Sequence, residues 1–304
     1  MGELVAKRYP TKLFADLADH TCVECGPGGQ GWRCWGGKTG GTEFRRGAGS
    51  TRRADQIAGA NERAGITCYL INGVCHQAAN RILLPAAITV RGARGYEVSE
   101  ALFGTYGRPG GILGFCTAPF DQHAGTSGDL PACAAAAPPA ASRHKARGRR
   151  ARGPTTRGRM ATASEQRYLR GVLSIYGKAR APLASAARAR SFATGRNLEA
   201  FHLALFMHQV DFKLGSRVDR TLDRRLRHIR QSTERSRLKI EEWFAAHEMN
   251  AAEFVKEFDN ETRVFQHAVA GAMKPADYER LFDLTPGTIV TLADPRIVKK
   301  AFPR

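Results

Sequence analysis

Two residues of this sequence have the type and surroundings for nucleophilic chemistry, Cys75 and His20. Cys75 lies in Gly65–Pro85, GITCYLINGVCHQAANRILLP. That stretch reads as a short apolar strand (Ile66–Ile71), a tight turn at Asn72-Gly73, and a helix stopped by Pro85. Cys75 then falls in the first turn of the helix, where the positive end of the dipole favours thiolate over thiol. The thiolate is the nucleophilic form. A plainer reading stands beside this one. Cys75, Ala79 and Ile82 share a helical face, and a free cysteine on an apolar face is commonly a small buried hydrophobe.

A thiol nucleophile needs a base. His76 is adjacent but projects about 100° around the helix from Cys75, which is poor geometry for taking its proton. His20 belongs to Asp19–Cys25, DHTCVEC, whose alternation reads as a strand with His20, Cys22 and Glu24 on one face. It meets Cys75 only if that strand packs across the helix N-terminus.

The elements that must position these residues occupy the first part of the chain. A helical turn is expected at Lys12–Leu17, ahead of the DHTCVEC strand. GPGGQGWRCWGGKTGG follows it and is too glycine-dense for a helix. Its tryptophans, Trp32 and Trp35, call for a packed loop or hairpin. Ser50–Ala64 reads as a polar helix ended by Gly65, Ala86–Arg91 as a strand and Val98–Phe103 as a short helix. Residues 121–164 lack apolar periodicity and include RHKARGRRARGPTTRGRMATAS, read as a basic, disordered linker.

Beyond the linker the sequence turns helical. Asn197–Leu214 is strongly apolar, and the stretch 217–239 is long, amphipathic and basic. Asn250 with Glu253 makes a capping box opening Ala251–Met273, and Pro275 opens a last helix ending near Leu284. The tail TIVTLADPRIVKKAFPR adds at most one extended segment. The expected fold class is α+β: a small antiparallel sheet with a packed helix carrying Cys75 over residues 1–120, the linker over 121–164, and an all-α domain over 165–304.

Composition narrows the function classes. The 304 residues carry a formal charge of +19, which makes anionic partners plausible without deciding fold or chemistry. No apolar run of about eighteen residues or secretory leader is apparent, and the seven cysteines are an odd number. A cytoplasmic, reduced-thiol protein is therefore expected. GPGGQG matches a dinucleotide-loop pattern, with Asp55 spaced for a ribose, but Trp-Arg-Cys-Trp-Gly-Gly cannot open the required helix. Gly37-Lys38-Thr39 resembles a Walker A ending, yet Trp32 stands where the first glycine belongs. Cys22 and Cys25 form a C-x-x-C, with Cys34, Cys68 and His76 as conceivable further ligands. No second C-x-x-C exists, and a strand aims Cys22 and Cys25 to opposite faces. No cofactor and no metal are expected.

The order His20 then Cys75, carried by DHTCVEC, a glycine-rich hairpin and NGVCHQAANRIL, resembles the circularly permuted papain-like superfamily. This is the NlpC/P60 and lecithin:retinol acyltransferase-like group. The resemblance covers about residues 10–106. It implies a strand histidine ahead of a helix-start cysteine on a small antiparallel sheet, with Cys75 as nucleophile and His20 as general base. The implied activity is hydrolysis or acyl transfer on an amide or ester through a Cys75 thioester. The family also uses a third polar residue to orient the histidine. Glu24 lies about 13 Å along the strand from His20, leaving Thr39, Thr42 and Glu43 in the next segment. The only oxyanion donor that can be named is the backbone amide of Cys75.

The alternative is a non-enzymatic basic protein with Cys75 in its core. The linker and the 217–239 helix would then hold nucleic acid or an acidic protein partner. His202 and His208 do not share a helical face and read as core or surface residues.

Overall fold

The computed structural model describes residues 2–10, 18–26, 31–32, 40–64, 69–108, 160–189 and 193–293. The architecture is mixed α+β, with a small antiparallel sheet in the first half and helices throughout the second. Strand β1 (Gly2–Pro10) pairs with β2 (Asp19–Cys25) on one side and β4 (Thr42–Gly49) on the other, and β3 (Gly31–Trp32) joins the far edge of β2. Sequence reading did not find β1, although GELVAKRYP alternates as a two-faced strand should. Leu4 and Ala6, with Val23 of β2, face the core. Val5, Lys7 and Tyr9 share the other face with His20, Cys22 and Glu24.

Helices α1 (Thr51–Ala64) and α2 (Cys75–Leu83) cover the core face of the sheet. Ala54 and Ile57 of α1 and Ala78, Ala79 and Ile82 of α2 are buried there. Ser50 starts α1 by accepting the Arg53 N–H at 3.2 Å. Trp32 is buried and donates its indole N–H to Asp55 at 2.9 Å, so this tryptophan is packed down as expected. Helix α3 (Tyr96–Phe103) then begins two residues earlier than its sequence pattern indicated.

The second half comprises α4 (Ala163–Ala189), α5 (Ala193–Leu214), α6 (Arg220–Ala245), α7 (Ala251–Ala272) and α8 (Pro275–Phe282). Asp219 caps α6 through the N–H groups of Thr221 and Leu222, and the Asn250–Glu253 capping box opens α7 as expected. Residues 121–164 do not all lie outside the helices: Thr162 and Glu165 exchange capping hydrogen bonds, and α4 starts at Ala163. Residues 121–159, including the arginine run at 143–159, lie outside the described residues.

Composition separates the halves, but packing joins them. One apolar cluster runs from Leu4 and Val23 through Phe103 to Phe206, Phe265 and Val290. Phe103 stacks on Phe258 at 5.7 Å, and the Tyr69 hydroxyl donates to the Leu292 carbonyl at 2.9 Å.

Neither of two expected strands forms among the described residues. Ala86–Arg91 forms a 3-10 turn at Leu84–Ala86 and then irregular backbone. Its polar groups are met by side chains instead of a strand partner. Asn80 accepts the Val90 N–H at 2.8 Å, and Arg45 donates to the Arg91 carbonyl at 3.0 Å. Of the strand expected at 66–71, Tyr69–Ile71 belongs to the turn closed by Leu70 N–H to the Gly73 carbonyl at 3.0 Å, and residues 66–68 lie outside the described set. The helical turn at Lys12–Leu17 and Trp35 also lie outside it, and residues 291–293 are irregular. No helix among the described residues is long and apolar enough to cross a membrane.

Candidate thiol site at the start of the second helix

Cys75 is the first residue of α2, as its sequence context required. Gly73 makes the entry possible with φ 138°, where an added Cβ would meet the Gln77 side chain at 2.6 Å. The Val74 N–H is taken by Gln77 Oε1 at 3.0 Å, while Gln77 Nε2 donates to the Gly104 carbonyl at 3.2 Å. Gln77 is therefore committed to closing the helix start, not offered to a ligand. The thiol of Cys75 is half-buried, and its Sγ lies 3.9 Å from the Asp19 carbonyl oxygen.

That contact joins α2 to the strand bearing His20. The Asp19 N–H donates to the Arg94 carbonyl at 3.0 Å, and its carbonyl receives His76 Nε2 at 3.0 Å. In a strand the N–H and C=O of one residue point to the same side. Asp19 therefore turns both away from β1, and the start of α2 abuts the open edge of β2. The Asp19 carboxylate secures the same corner, accepting the Arg94 N–H at 2.9 Å and lying 3.4 Å from Arg8 Nη1.

His20 is buried, with its ring tilted 32° on Tyr9 at 4.9 Å between centroids. Its pairing with Tyr9 places both on the sheet face opposite Leu4, Ala6 and Val23. The structure thus brings the backbone next to His20 onto the thiol and gives the imidazole a tyrosine neighbour that sequence reading did not name. The alternation of β1 could have signalled Tyr9, since antiparallel pairing sets it beside His20.

The residues considered as orienting partners lie elsewhere. Glu24 pairs with Lys7 at 2.5 Å. Thr42 and Glu43 sit on β4, separated from β2 by β1, so two strand spacings of about 4.8 Å each lie between them and His20. Thr39 lies outside the described residues.

His76 is excluded as the base by its surroundings. Burial pushes its pKa down to about 4, with His20 among the further causes. Since the Asp19 carbonyl can only accept, Nε2 carries the proton, and Nδ1 lies 2.8 Å from the Ser99 hydroxyl, whose proton it shares with the Tyr96 carbonyl at 2.8 Å. Of the cysteines weighed as ligands, Cys22 contacts the Gly40 carbonyl at 3.3 Å and is raised by burial, while Cys25 packs against the core on the opposite face. No cluster of metal-ligating side chains occurs among the described residues.

Polar residues of α2 that sequence reading left without a role support the thiol from behind. Asn80 donates to the Thr105 carbonyl at 2.6 Å, and Arg81 Nε donates to the Tyr106 carbonyl at 2.6 Å. Together with Gln77 they hold the buried segment Gly104–Arg108, one carbonyl each. The helical half holds its other side. Tyr176 donates to the Gly107 carbonyl at 2.6 Å, and Arg230 and Arg237 donate to carbonyls at the end of α3. The signal was the recurrence of Gln77, Asn80 and Arg81 at three- and four-residue spacing, which marks a second, polar helical face.

No protein-family model, no curated protein and no solved structure matches this chain.

Proposed function

We propose that the protein is a cysteine-dependent hydrolase or acyltransferase of the permuted papain-like type, acting on an amide or ester, with Cys75 as nucleophile and His20 as general base. The observation that carries this reading is the contact of the Cys75 thiol with the Asp19 carbonyl, at the strand edge one residue before His20. Acting round the strand edge at Asp19, where it is close enough to affect the neighbouring His76 electrostatically, His20 takes the thiol proton, and the sulfur attacks the substrate carbonyl carbon. As the tetrahedral adduct collapses, the bond to the amine or alcohol breaks, and that group leaves with the proton from the imidazolium. Water or an acceptor alcohol or amine, deprotonated by His20, then attacks the thioester and frees the thiol. The Cys75 amide at the helix start is the oxyanion donor, and Tyr9 fixes the imidazole plane. The odd cysteine count supports a reducing, cytoplasmic setting for such a thiol.

The test is alkylation by iodoacetamide across pH, read by peptide mass spectrometry. Cys75 is expected to titrate well below the reference of about 8.5 and to lose that advantage in His20→Ala. A Cys75 that labels no faster than an ordinary thiol, in a folded protein, overturns the reading.

A second reading rests on α6, where Arg220, Arg224, Arg225 and Arg227 are exposed beside exposed Arg217. It makes the protein a basic binding module for nucleic acid or an acidic protein. Salt-dependent retention on a polyanion, unchanged after Cys75 is alkylated, supports it, and absence of retention at low salt removes it.

A further inference from the structure

We infer that His76, the neighbour of the nucleophile, is a positioning residue for the Cys75 thiol that works through the Asp19 carbonyl. The inference rests on the thiol reading above. One carbonyl oxygen is shared by two consecutive side chains of α2: His76 Nε2 at 3.0 Å and Cys75 Sγ at 3.9 Å. A carbonyl beside a sulfur stabilises the thiol, which can donate to it, and repels the thiolate, which cannot. An N–H already donating to that oxygen draws down its negative potential and competes with the thiol for its lone pairs. His76 thus lowers the cost of the thiolate while pinning the strand edge to the helix start.

The imidazole is built into that role. The Asp19 carbonyl, which can only accept, fixes the tautomer that carries the Nε2 proton, and the Ser99 hydroxyl of α3 holds the other side of the ring, 2.8 Å from Nδ1. Gln77 donates to the same hydroxyl oxygen at 3.3 Å, and the hydroxyl proton is shared between the ring and the Tyr96 carbonyl, 2.8 Å away. The Tyr96 ring lies against the imidazole at 5.7 Å. Among the described residues, the charged or titratable groups facing the pair are His20 and the Asp19 carboxylate from β2, and Glu97 and Tyr96 from α3. The Asp19 carboxylate is engaged by the Arg94 N–H and Arg8. Glu97 is engaged by Arg91 and Lys213. Burial holds His76 neutral, so its donor persists over the range in which a thiol titrates.

The test measures the pH midpoint of Cys75 alkylation in the full chain for wild type, His76→Phe, His76→Gln and Ser99→Ala, with folding followed by circular dichroism. His76→Phe removes the N–H and is expected to raise the midpoint by about one unit, a roughly tenfold slower alkylation below it. His76→Gln, which can restore an N–H to Asp19, returns the midpoint most of the way. Ser99→Ala removes the hydroxyl that holds Nδ1, loosens the ring on the Asp19 carbonyl and raises the midpoint by a smaller amount. A folded His76→Phe with an unchanged midpoint overturns the inference. If His76→Phe does not fold, an unchanged midpoint in Ser99→Ala does so. A wild-type midpoint at the ordinary thiol value overturns the enzyme reading, and the shifts between variants still judge His76 separately.

Discussion

Arg108, at the end of the first half, donates to the carboxylate of Glu241 on α6 at 2.6 Å, and both side chains are buried. Its second terminal nitrogen reaches Glu234 at 2.8 Å, and Arg230, Arg237 and His202 also lie against Glu234. Removing one member of a buried ionic cluster leaves its partners charged and dry, which costs about 3–5 kcal/mol. Arg108→Ala is therefore expected to lose roughly that amount in urea unfolding. The loss should occur in one transition that takes both halves of the chain, because their core is continuous. Separate transitions for the two halves would contradict the shared core.

Asn80 answers three backbone and side-chain groups at once. It donates to the Thr105 carbonyl and the Tyr96 hydroxyl and accepts from Val90 N–H. Asn80→Ala orphans buried backbone groups at about 1–3 kcal/mol each. A total loss of about 2–6 kcal/mol follows, with little change in helix content by far-ultraviolet circular dichroism.

Two glycines with positive φ separate strain from crowding. At Gly107 (φ 83°) an added Cβ would meet the Asn72 carbonyl oxygen at 2.0 Å and Arg81 at 2.4 Å. At Gly92 (φ 95°) it would meet nothing within 4 Å. Gly92→Ala carries only backbone strain, about 1–3 kcal/mol. Gly107→Ala must also part the Gly104–Arg108 segment from α2, and its thermal midpoint should fall well below that of Gly92→Ala. Equal midpoints would show that the segment is not clamped.

Glu165 joins α4 to the sheet through Arg45 at 2.6 Å and also accepts the Thr162 N–H at 2.8 Å. Burial works against its charge, but these partners outweigh burial and hold its pKa down to about 2, against 4.5 for an ordinary glutamate. A carboxylate depressed on folding adds stability that is complete above the unfolded value and disappears as pH falls through the folded one. The gap in thermal midpoint between wild type and Glu165→Gln should be widest above pH 5 and close between about 4.5 and 2. A gap that stays constant across that range would assign Glu165 a purely neutral hydrogen-bonding role.

Local chemistry made much of the helical half legible. Asn250–Glu253, Pro275 and the apolar spacing of Asn197–Leu214 act within a few residues of one another, so their consequences can be read in place. The strand at 19–25 and the helix start at Cys75 were legible for the same reason. The strand read into Ala86–Arg91 did not form because the distant side chains of Asn80 and Arg45 satisfied the backbone that pairing would have used. The described part of the strand read into Ile66–Ile71 is instead turned back by the bond from the Leu70 N–H to the Gly73 carbonyl. Tyr9 and β1 were missed because a strand's partner is a long-range fact.

By itself the sequence determined which residues can do chemistry, that Cys75 opens a helix and that His20 lies on a strand, since backbone preference and side-chain period are local properties. The tertiary structure alone decided that α2 meets the edge of β2 at the Asp19 carbonyl, that His76 is neutral and spent on that carbonyl, and that the helical half closes over Arg108. Those outcomes depend on which groups are brought together and deprived of water, and burial is set by the whole fold.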